Sequence, residues 1–327
     1  MQSACMQSSL MTFNPFPSWL QMASEASASF FPSASPGPAT VPSEPMTAIY
    51  DDHSLYVPAA APCRGAPLLV MLHGAGQNPG DFAAGTAMNS AAERHGFIVL
   101  YPAQPTSANA HQCWNWFERA HQTRDQGDPA RIAALTLQVA HEQRVDTDRI
   151  YVAGLSAGGA MAALLGDLFP DVYAAVGVHS GLAARAGVDI SSGLAALRGA
   201  PREAGVPREM PTIVFHGDRD SVVNPLNGTQ VIEASFGTDC SFESCERTGP
   251  DGRRFTRRNY VRQGSGVRGE HWTLHDASHA WSGGCLAGSF ADPLGPDASE
   301  EMLRFFETQR RNPSALRREE ARRQQPP

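Results

Sequence analysis

Residues 151–160 read YVAGLSAGGA, so an apolar run passes through a Gly-x-Ser-x-Gly pentad into an apolar segment of small residues. A sharp turn at Ser156 would strain the backbone, and the flanking glycines remove the Cβ atoms that would collide with strand and helix. The hydroxyl of Ser156 would then stand at a helix N-terminus, whose dipole favours a developing negative charge. A strand before the pentad and a helix after it predict a nucleophilic serine. The alternative is an ordinary serine in a glycine-rich turn.

Short apolar runs alternate with longer amphipathic segments on both sides of this stretch. The runs have the composition of strands buried on both faces and lie at 68–72, 97–101, 150–153, 174–178 and 212–215. Segments with helical spacing lie at 80–95, 129–144, 158–169, 225–236 and 297–308. The alternation predicts an α/β fold with a mostly parallel central sheet and helices on both faces. Residues 253–262 follow an Asp-Gly turn signal and predict a hairpin or strand pair near the sheet edge.

Composition divides the chain into three parts. Residues 1–45 are dense in Ser, Ala, Pro and Met, which predicts a disordered segment and linker. Residues 46–309 hold the predicted α/β catalytic domain. Residues 310–327 are rich in Arg and end in proline, which predicts a flexible tail.

Charge and composition exclude several classes of function. The 327 residues carry a net charge of −7, so no global positive field attracts nucleic acid, and we expect no nucleic-acid partner. No apolar run approaches the roughly 18 residues that a transmembrane helix needs, and we expect no transmembrane segment. All 26 basic residues are Arg, which removes mechanisms based on a lysine amine.

The six cysteines lack the paired spacing of a zinc site. We therefore expect no metal. Free thiols are favoured over disulfides, and Cys240 with Cys245 is the pair to consider if one forms.

A nucleophilic serine needs a base, and His279 is the preferred candidate among 11 histidines. It lies in a loop of small residues, 276–284, after the strand-like residues 271–274. An imidazole there can reach Ser156 at the carboxyl edge of the sheet.

The third catalytic group should be a carboxylate that orients the imidazole. The segment after the apolar run 212–215 offers Asp218 and Asp220, of which we prefer Asp220 at the far end of the loop. The chain order Ser156, Asp220, His279 is the order of an α/β-hydrolase.

An oxyanion hole needs two backbone N–H groups aimed at one point. Ala157 follows the nucleophile and supplies one of them. The turn after the first core run supplies the other, with Ala75 preferred and Gly76 second. The same turn could equally be a tight strand-to-helix connection.

Five segments together resemble the poly(3-hydroxybutyrate) depolymerase family of esterases. They are LHG at 72–74 with Gln77, CWNWF at 113–117, GLSAGG at 154–159, HAWSGG at 279–284 and SFADPLGPDAS at 289–299. The resemblance spans about 50–308 and implies a carboxylesterase with a Ser, Asp, His triad. It implies no metal or organic cofactor, and a polyester or small ester as substrate. Ala75 stands where relatives often have Cys, and Ser278 replaces a common Gly.

Feruloyl and acetylxylan esterases belong to the same family, so such a short-chain or aromatic esterase is the alternative function. A non-catalytic granule-surface protein that keeps an esterase fold is the alternative of another class.

Four aromatic or imidazole side chains are candidates for substrate binding. Trp114 and Trp116 alternate across Asn115, which places both indoles on one side of an extended segment, either against an apolar ester chain or in the core. His179 ends a predicted strand and would border the cleft. Trp281 belongs to the segment of resemblance that contains His279.

The N-terminal residues lack the charged and continuously apolar regions of a secretory signal, so we expect a cytoplasmic protein. An extracellular location is the alternative if a non-standard export signal is used. Residues 10–22 are apolar and nearly uncharged, and such a segment should bind a surface. That surface is either the protein's own domain or partner subunit, or a polyhydroxyalkanoate granule.

Overall fold

The computed structural model describes residues 48–59, 64–202, 206–238, 240–262 and 268–311. The described strands are β1 (Ala48–Ile49), β2 (His53–Tyr56), β3 (Leu68–Leu72), β4 (Ile98–Pro102), β5 (Ile150–Leu155), β6 (Ala175–His179), β7 (Thr212–Gly217), β8 (Phe242–Thr248), β9 (Arg254–Val261), β10 (Arg268–Leu274), β11 (Trp281–Ser282) and β12 (Ala291–Asp292). The described helices are α1 (Pro79–Thr86), α2 (Met88–His95), α3 (Gly127–Glu142), α4 (Ala157–Leu168), α5 (Ile190–Leu197), α6 (Leu226–Phe236) and α7 (Ala298–Glu307).

The first ten strands form one sheet in the order β1-β2-β4-β3-β5-β6-β7-β10-β9-β8. The six central strands, from β4 to β10 in this order, are parallel, and the pairs at both edges are antiparallel. Strands β3, β5, β6 and β7 are buried along their whole length. The predicted α/β fold with a mostly parallel sheet is confirmed.

Side chains that alternate along the parallel strands fill two layers. On one face, Leu69 and Met71 of β3 belong to a core cluster with Met302 and Phe306 of α7. On the other face α4 packs so tightly that a Cβ at Gly166 would lie 2.4 Å from Val176 Cγ2. Helices therefore cover both faces of the sheet, as the sequence predicts.

The direction of the chain places the functional loops at one edge. The chain runs from β3 outward to β4 and then returns across β3 to β5, so the carboxyl ends of β3 and β5 flank a topological switch point. Ligand sites in open parallel sheets lie at such a point. The loops after β3, β5, β6, β7 and β10 all begin at this edge.

One local prediction needs correction, and several elements were not predicted. The predicted helix 80–95 is two helices, because Ala87 adopts a left-handed conformation (φ 49°) that ends α1 and begins α2. Strand β8 and helix α5 were not predicted. The residues of β8 are exposed almost throughout, so the sequence shows no alternation of apolar residues that would predict a strand there. The predicted edge pair is observed, with β9 between β8 and β10.

The predicted linker before residue 48 and the tail after residue 311 lie outside the described residues. Cys245 is a free thiol, so it forms no disulfide with Cys240. Within the described ranges, no helix combines the length and apolar character that crossing a bilayer requires.

Candidate active site

Ser156 occupies the sharp turn between β5 and α4. Its backbone has φ 56° and ψ −119°, a conformation that a non-glycine residue adopts only when its surroundings enforce it. Two hydrogen bonds enforce it: the N–H of Ser156 donates to the carbonyl of His179 (2.9 Å), and its own carbonyl accepts from the N–H of Ala160 (2.9 Å). The side chain is only partly buried, at the N-terminus of α4.

The glycines around Ser156 are required by close backbone contacts. A Cβ at Gly158 would lie 2.0 Å from the carbonyl oxygen of Leu72, and a Cβ at Gly154 would lie 2.4 Å from the carbonyl carbon of Gly158. Only glycine lets α4 begin against the end of β3. The same contacts bring Ser156 next to the turn that follows β3.

The turn after β3 presents one amide that can bind an oxyanion together with Ala157. The N–H of Gly74 donates to Oε1 of Gln77 (2.9 Å), and the N–H of Gly76 donates to the carbonyl of His111 (2.9 Å). Gly76, the second choice from sequence, therefore uses its amide within the protein. Ala75 remains the amide of this turn that suits the role, while Ala157 stands at the first position of α4.

Trp114 supports the turn after β3 through a hydrogen bond to His73. Its ring is fully buried, and its Nε1–H donates to the carbonyl of His73 (2.9 Å). The imidazole of His73 donates from Nδ1 to the carbonyl of Gly74 (2.8 Å) and accepts at Nε2 from the N–H of Gln104 (3.2 Å). Burial lowers the pKa of His73 to about 4, so the ring is neutral and structural at neutral pH.

His279 and Asp220 form a buried hydrogen-bonded pair. Nδ1 of His279 donates to Oδ2 of Asp220 (2.7 Å), and Oδ1 of Asp220 accepts from the N–H groups of Val222 (2.9 Å) and Val223 (2.8 Å). Burial alone would raise the pKa of Asp220, but the charge of His279 and the hydrogen bonds from His216 and His279 outweigh burial. They hold the pKa well below its usual range, so the carboxylate is ionised.

Asp218, the alternative carboxylate, contacts a different histidine. Its Oδ2 accepts from Nδ1 of His275 (2.9 Å), and its Oδ1 accepts from the N–H of Asp276 (2.7 Å). The exposed side chain of Asp218 thus ties the loop after β7 to the end of β10. Of the two carboxylates, Asp220 is the one that contacts His279.

His179 is a buried support beneath the loop that carries His279. Its Nε2 accepts from the N–H of Ser282 (3.0 Å), and its ring stacks on Trp281 at 5.0 Å between centroids. Burial first, and then repulsion from His216 and His279, lowers its pKa to about 3. The ring is therefore a neutral acceptor at neutral pH.

The four side chains predicted to bind substrate are all buried. Trp281 is 1% exposed and donates from Nε1 to Ser299 Oγ (3.1 Å). Trp116 is 3% exposed and packs edge-on against Phe117 at 5.4 Å. Trp114 and His179 are buried as well. These four side chains therefore pack beneath the loops of the site, whereas the sequence predicted that they would contact substrate. Alternation in sequence did not distinguish a core wall from a cleft wall.

Two side chains near the site were not assigned a role from sequence. Phe290, at φ 51°, is partly buried and directs its ring edge-on to the imidazole of His279 at 6.3 Å. Gln77 connects the turn after β3 to the same loop through Ser289. Gln77 and Ser289 are 212 positions apart in the chain, so nothing in the sequence indicated that they are in contact.

The arrangement has the parts needed for acyl transfer. It combines a partly exposed serine at a helix N-terminus, an imidazole oriented by an ionised carboxylate, and a turn in which the amide of Ala75 donates no hydrogen bond to the described residues. These groups come from the carboxyl ends of β3, β5, β7 and β10, which lie at one edge of the sheet.

The chain is similar to known esterases in sequence and in fold. Residues 51–242, more than half of the chain, match the family described as Esterase PHB depolymerase. The chain is 30% identical over 192 residues to poly(3-hydroxyalkanoate) depolymerase C of Paucimonas lemoignei, an alignment covering 54% of this chain and 46% of that protein. It is 33% identical over 129 residues to feruloyl esterase B of Neurospora crassa, covering 39% of this chain and 43% of that protein. The chain therefore spans less than half the length of these curated relatives.

Among solved structures, an acetyl xylan esterase from Aspergillus awamori matches with a TM-score of 0.59 at 19% identity, over 77% of this chain and 93% of that chain. This likeness shows the α/β-hydrolase fold, as predicted. Together with the family match, it means that the chain belongs to the PHB depolymerase family of esterases.

Proposed function

We propose that this protein is a serine carboxylesterase that hydrolyses the ester bonds of poly(3-hydroxybutyrate) or of related hydroxyalkanoate polymers and oligomers. The observation that carries the proposal is one geometric combination. Ser156 stands on a strained strand-to-helix turn at the same sheet edge as the buried His279–Asp220 pair.

In the proposed mechanism, Oγ of Ser156 attacks the ester carbonyl while Nε2 of His279 takes the hydroxyl proton. The amides of Ala75 and Ala157 bind the oxyanion of the tetrahedral intermediate. His279 then gives its proton to the leaving alkoxide, and the alcohol departs from an acyl-enzyme at Ser156. Water repeats the sequence on the acyl-enzyme and releases the carboxylic acid. Asp220 stabilises the imidazolium in both halves.

Apolar side chains near the catalytic loops favour an aliphatic ester. Phe290 lies edge-on to His279, and two exposed leucines follow the catalytic residues in the chain: Leu226 (58% exposed) begins α6 after Asp220, and Leu286 (62% exposed) follows His279. Exposed leucines suit contact with a polymer surface better than with a small soluble ester. The relative named as a poly(3-hydroxyalkanoate) depolymerase supports the same substrate class.

A feruloyl or acetylxylan esterase is the second candidate, because the relatives include a feruloyl esterase B and a probable acetylxylan esterase A. The test compares turnover of the full chain on amorphous poly(3-hydroxybutyrate) granules, soluble hydroxybutyrate oligomers, methyl ferulate and acetylated xylan. Highest kcat/KM on the oligomers with release of acid from granules supports the proposal, whereas preference for methyl ferulate or acetylated xylan favours the alternative.

Ser156→Ala is the control for each substrate. It should reduce turnover by about 10⁴-fold or more, since it removes the nucleophile. Retention of esterase activity by Ser156→Ala would refute the assigned triad. A wild-type chain that neither labels with a fluorophosphonate nor hydrolyses any of these esters would support the non-catalytic alternative.

Granule association is a separate proposal that concerns residues outside the described ranges. Residues 10–22 are apolar and precede a proline-rich stretch, so they could adhere to a hydrophobic polyester while the domain stays within reach. Deletion of residues 1–40 should reduce co-sedimentation with granules and activity on them, and should leave activity on a soluble ester unchanged. Equal loss on both substrates would mean that the segment contributes to the folded domain instead.

A further inference from the structure

Asp220 is contacted by two imidazoles and not by His279 alone. Oδ2 of Asp220 lies 2.7 Å from Nδ1 of His279 and 3.4 Å from Nε2 of His216, the last buried residue but one of β7. The side chain of Asp220 is wholly inaccessible, and that of His216 is 2% exposed. The second imidazole therefore faces the carboxylate in a part of the protein that bulk solvent does not reach.

The position of the proton on His216 follows from its surroundings. Nε2 lies 2.9 Å from the carbonyl oxygen of Val223, which can only accept a hydrogen bond. Nδ1 is buried and has no hydrogen-bond partner in the described part of the chain. A proton on Nδ1 would be unsatisfied, so the neutral ring carries its hydrogen on Nε2. That N–H donates to the carbonyl of Val223, and its nitrogen also lies 3.4 Å from Oδ2 of Asp220.

The orientation of the carboxylate does not depend on His216. The amides of Val222 and Val223 both donate to Oδ1, which leaves Oδ2 directed at the imidazoles. The partial positive charge of the Nε2–H group, with its nitrogen 3.4 Å from Oδ2, offsets part of the negative charge that Asp220 presents to His279. His216 thus affects the strength of the His279–Asp220 interaction more than its geometry.

Other groups around the two imidazoles keep a constant charge near neutral pH. His179 of β6 and His271 of β10 are fully buried, and burial lowers the pKa of each to about 3, with repulsion from His216 as the next cause. Arg258 of β9 also acts on His271. From α6, Gly228 approaches His216 and His271 and brings no charge. In the proposed catalytic cycle His279 gains and loses a proton, whereas Asp220 stays ionised.

We propose that His216 is a positioning residue that acts through Asp220 and sets the pH at which His279 becomes an effective base; this rests on the proposed catalytic roles of Ser156, His279 and Asp220. The Nε2–H of His216 offsets part of the negative charge of Asp220, so the carboxylate stabilises the imidazolium of His279 less strongly. The neutral form of His279, which accepts the proton of Ser156, is then available at a lower pH.

The test uses the full chain and two variants of His216. His216→Met keeps the volume but removes the donor, whereas His216→Gln can place an amide N–H where Nε2 stands. The rate of Ser156 labelling by a fluorophosphonate, and kcat/KM for p-nitrophenyl acetate, are measured from pH 4.5 to 8. In His216→Met the midpoint of the acidic limb should rise by about half a pH unit, so that kcat/KM well below the midpoint falls about threefold. His216→Gln should restore the wild-type midpoint.

His271→Met is the matched control, because His271 is equally buried on the same face of the sheet and has no hydrogen bond to Asp220 within the described residues. It should leave the midpoint unchanged. A midpoint in His216→Met that is unchanged or lower would overturn the inference.

A measurement without a variant covers the case in which His216→Met does not fold. ¹⁵N NMR of histidine-labelled wild-type protein should show His216 protonated on Nε2, and protonation on Nδ1 would overturn the inference. Failure of the proposed function looks different: the wild-type chain would then show no labelling of Ser156 at any pH.

Discussion

Gln77 and Ser289 lie 212 positions apart in the chain, yet Nε2 of Gln77 is 3.0 Å from Oγ and 3.1 Å from the carbonyl oxygen of Ser289. The same amide donates to Oδ2 of Asp81 (3.0 Å), and Oδ1 of Asp81 accepts from the N–H of Ser289 (2.8 Å). At its other end, Oε1 of Gln77 holds the N–H of Gly74. One side chain therefore fixes the turn after β3 to the loop that follows His279.

Gln77→Glu should lower kcat by about tenfold or more while KM changes little. The new carboxylate still accepts from Gly74 but repels Asp81 and the carbonyl of Ser289, so the turn that presents the amide of Ala75 loses its support. Steady-state kinetics on p-nitrophenyl butyrate measure the effect. Ser289→Ala is the control, since it removes only the hydroxyl, which accepts from Gln77 and donates to Asp81, and keeps the carbonyl and N–H contacts of Ser289. It should cost much less. Similar losses in both variants would contradict this role for Gln77.

Asp220→Asn should reduce kcat/KM by about 10³- to 10⁴-fold, because an amide can present its N–H to His279 and favour the wrong tautomer. Asp218→Asn should keep activity within about tenfold of the wild type, since it disturbs only the contact with His275 and the turn at Asp276. Kinetics on a soluble ester, with circular dichroism to verify folding, compare the two. A larger loss in Asp218→Asn would reverse the assignment of the carboxylate.

Gly158→Ala should destabilise the fold by about 2–4 kcal/mol, because the added methyl would lie 2.0 Å from a backbone oxygen and α4 would have to move away from β3. The control is Gly80→Ala in α1, where the added methyl meets only Asn78 Oδ1 at 3.5 Å. It should lower the free energy of unfolding by no more than about 0.5 kcal/mol, and an increase is equally compatible with the higher helix propensity of alanine. Urea unfolding monitored by tryptophan fluorescence measures both. Equal stability of Gly158→Ala and the wild type would mean that the helix can shift freely.

Stability should fall as the pH drops from about 6.5 towards 4. Burial lowers the pKa of His73 to about 4, and that of His179 and His271 to about 3, so the unfolded chain binds protons in this window that the folded chain does not. Each imidazole contributes a loss of about 1.4 kcal/mol per pH unit. The pKa of Asp220 is also held low, and the stability it contributes is lost only at still lower pH, below its ordinary pKa.

Urea unfolding of the wild type and of His271→Met at several pH values tests this expectation. The variant lacks one of the three imidazoles whose pKa burial lowers, so its loss of stability between pH 6.5 and 4.5 should be about one third smaller. An identical slope in the two proteins would mean that His271 binds its proton equally well in the folded and unfolded chain.

The elements around Ser156 could be predicted because their causes are local. An apolar run followed by Gly-x-Ser-x-Gly and small apolar residues has few backbone solutions, and the close contacts of Gly158 with β3 explain why. The alternation of apolar runs with amphipathic segments likewise predicts a parallel sheet covered by helices. Where local signals are weak the prediction was wrong or silent, as at Ala87, whose left-handed conformation divides one predicted helix into two.

Tertiary structure decided which side chains face one another across the sheet edge. The strand order places β7 beside β10, so Asp220 meets His279 and Asp218 meets His275, although the two carboxylates are separated by one residue. Sequence identified Trp114 as an aromatic neighbour of the site, but its burial behind His73 depends on a loop that returns from β4. The contact of His216 with Asp220 also depends on the path of the loop after β7. Periodicity records which face of its own element a residue occupies, whereas the partner on the next element depends on strand order and loop path.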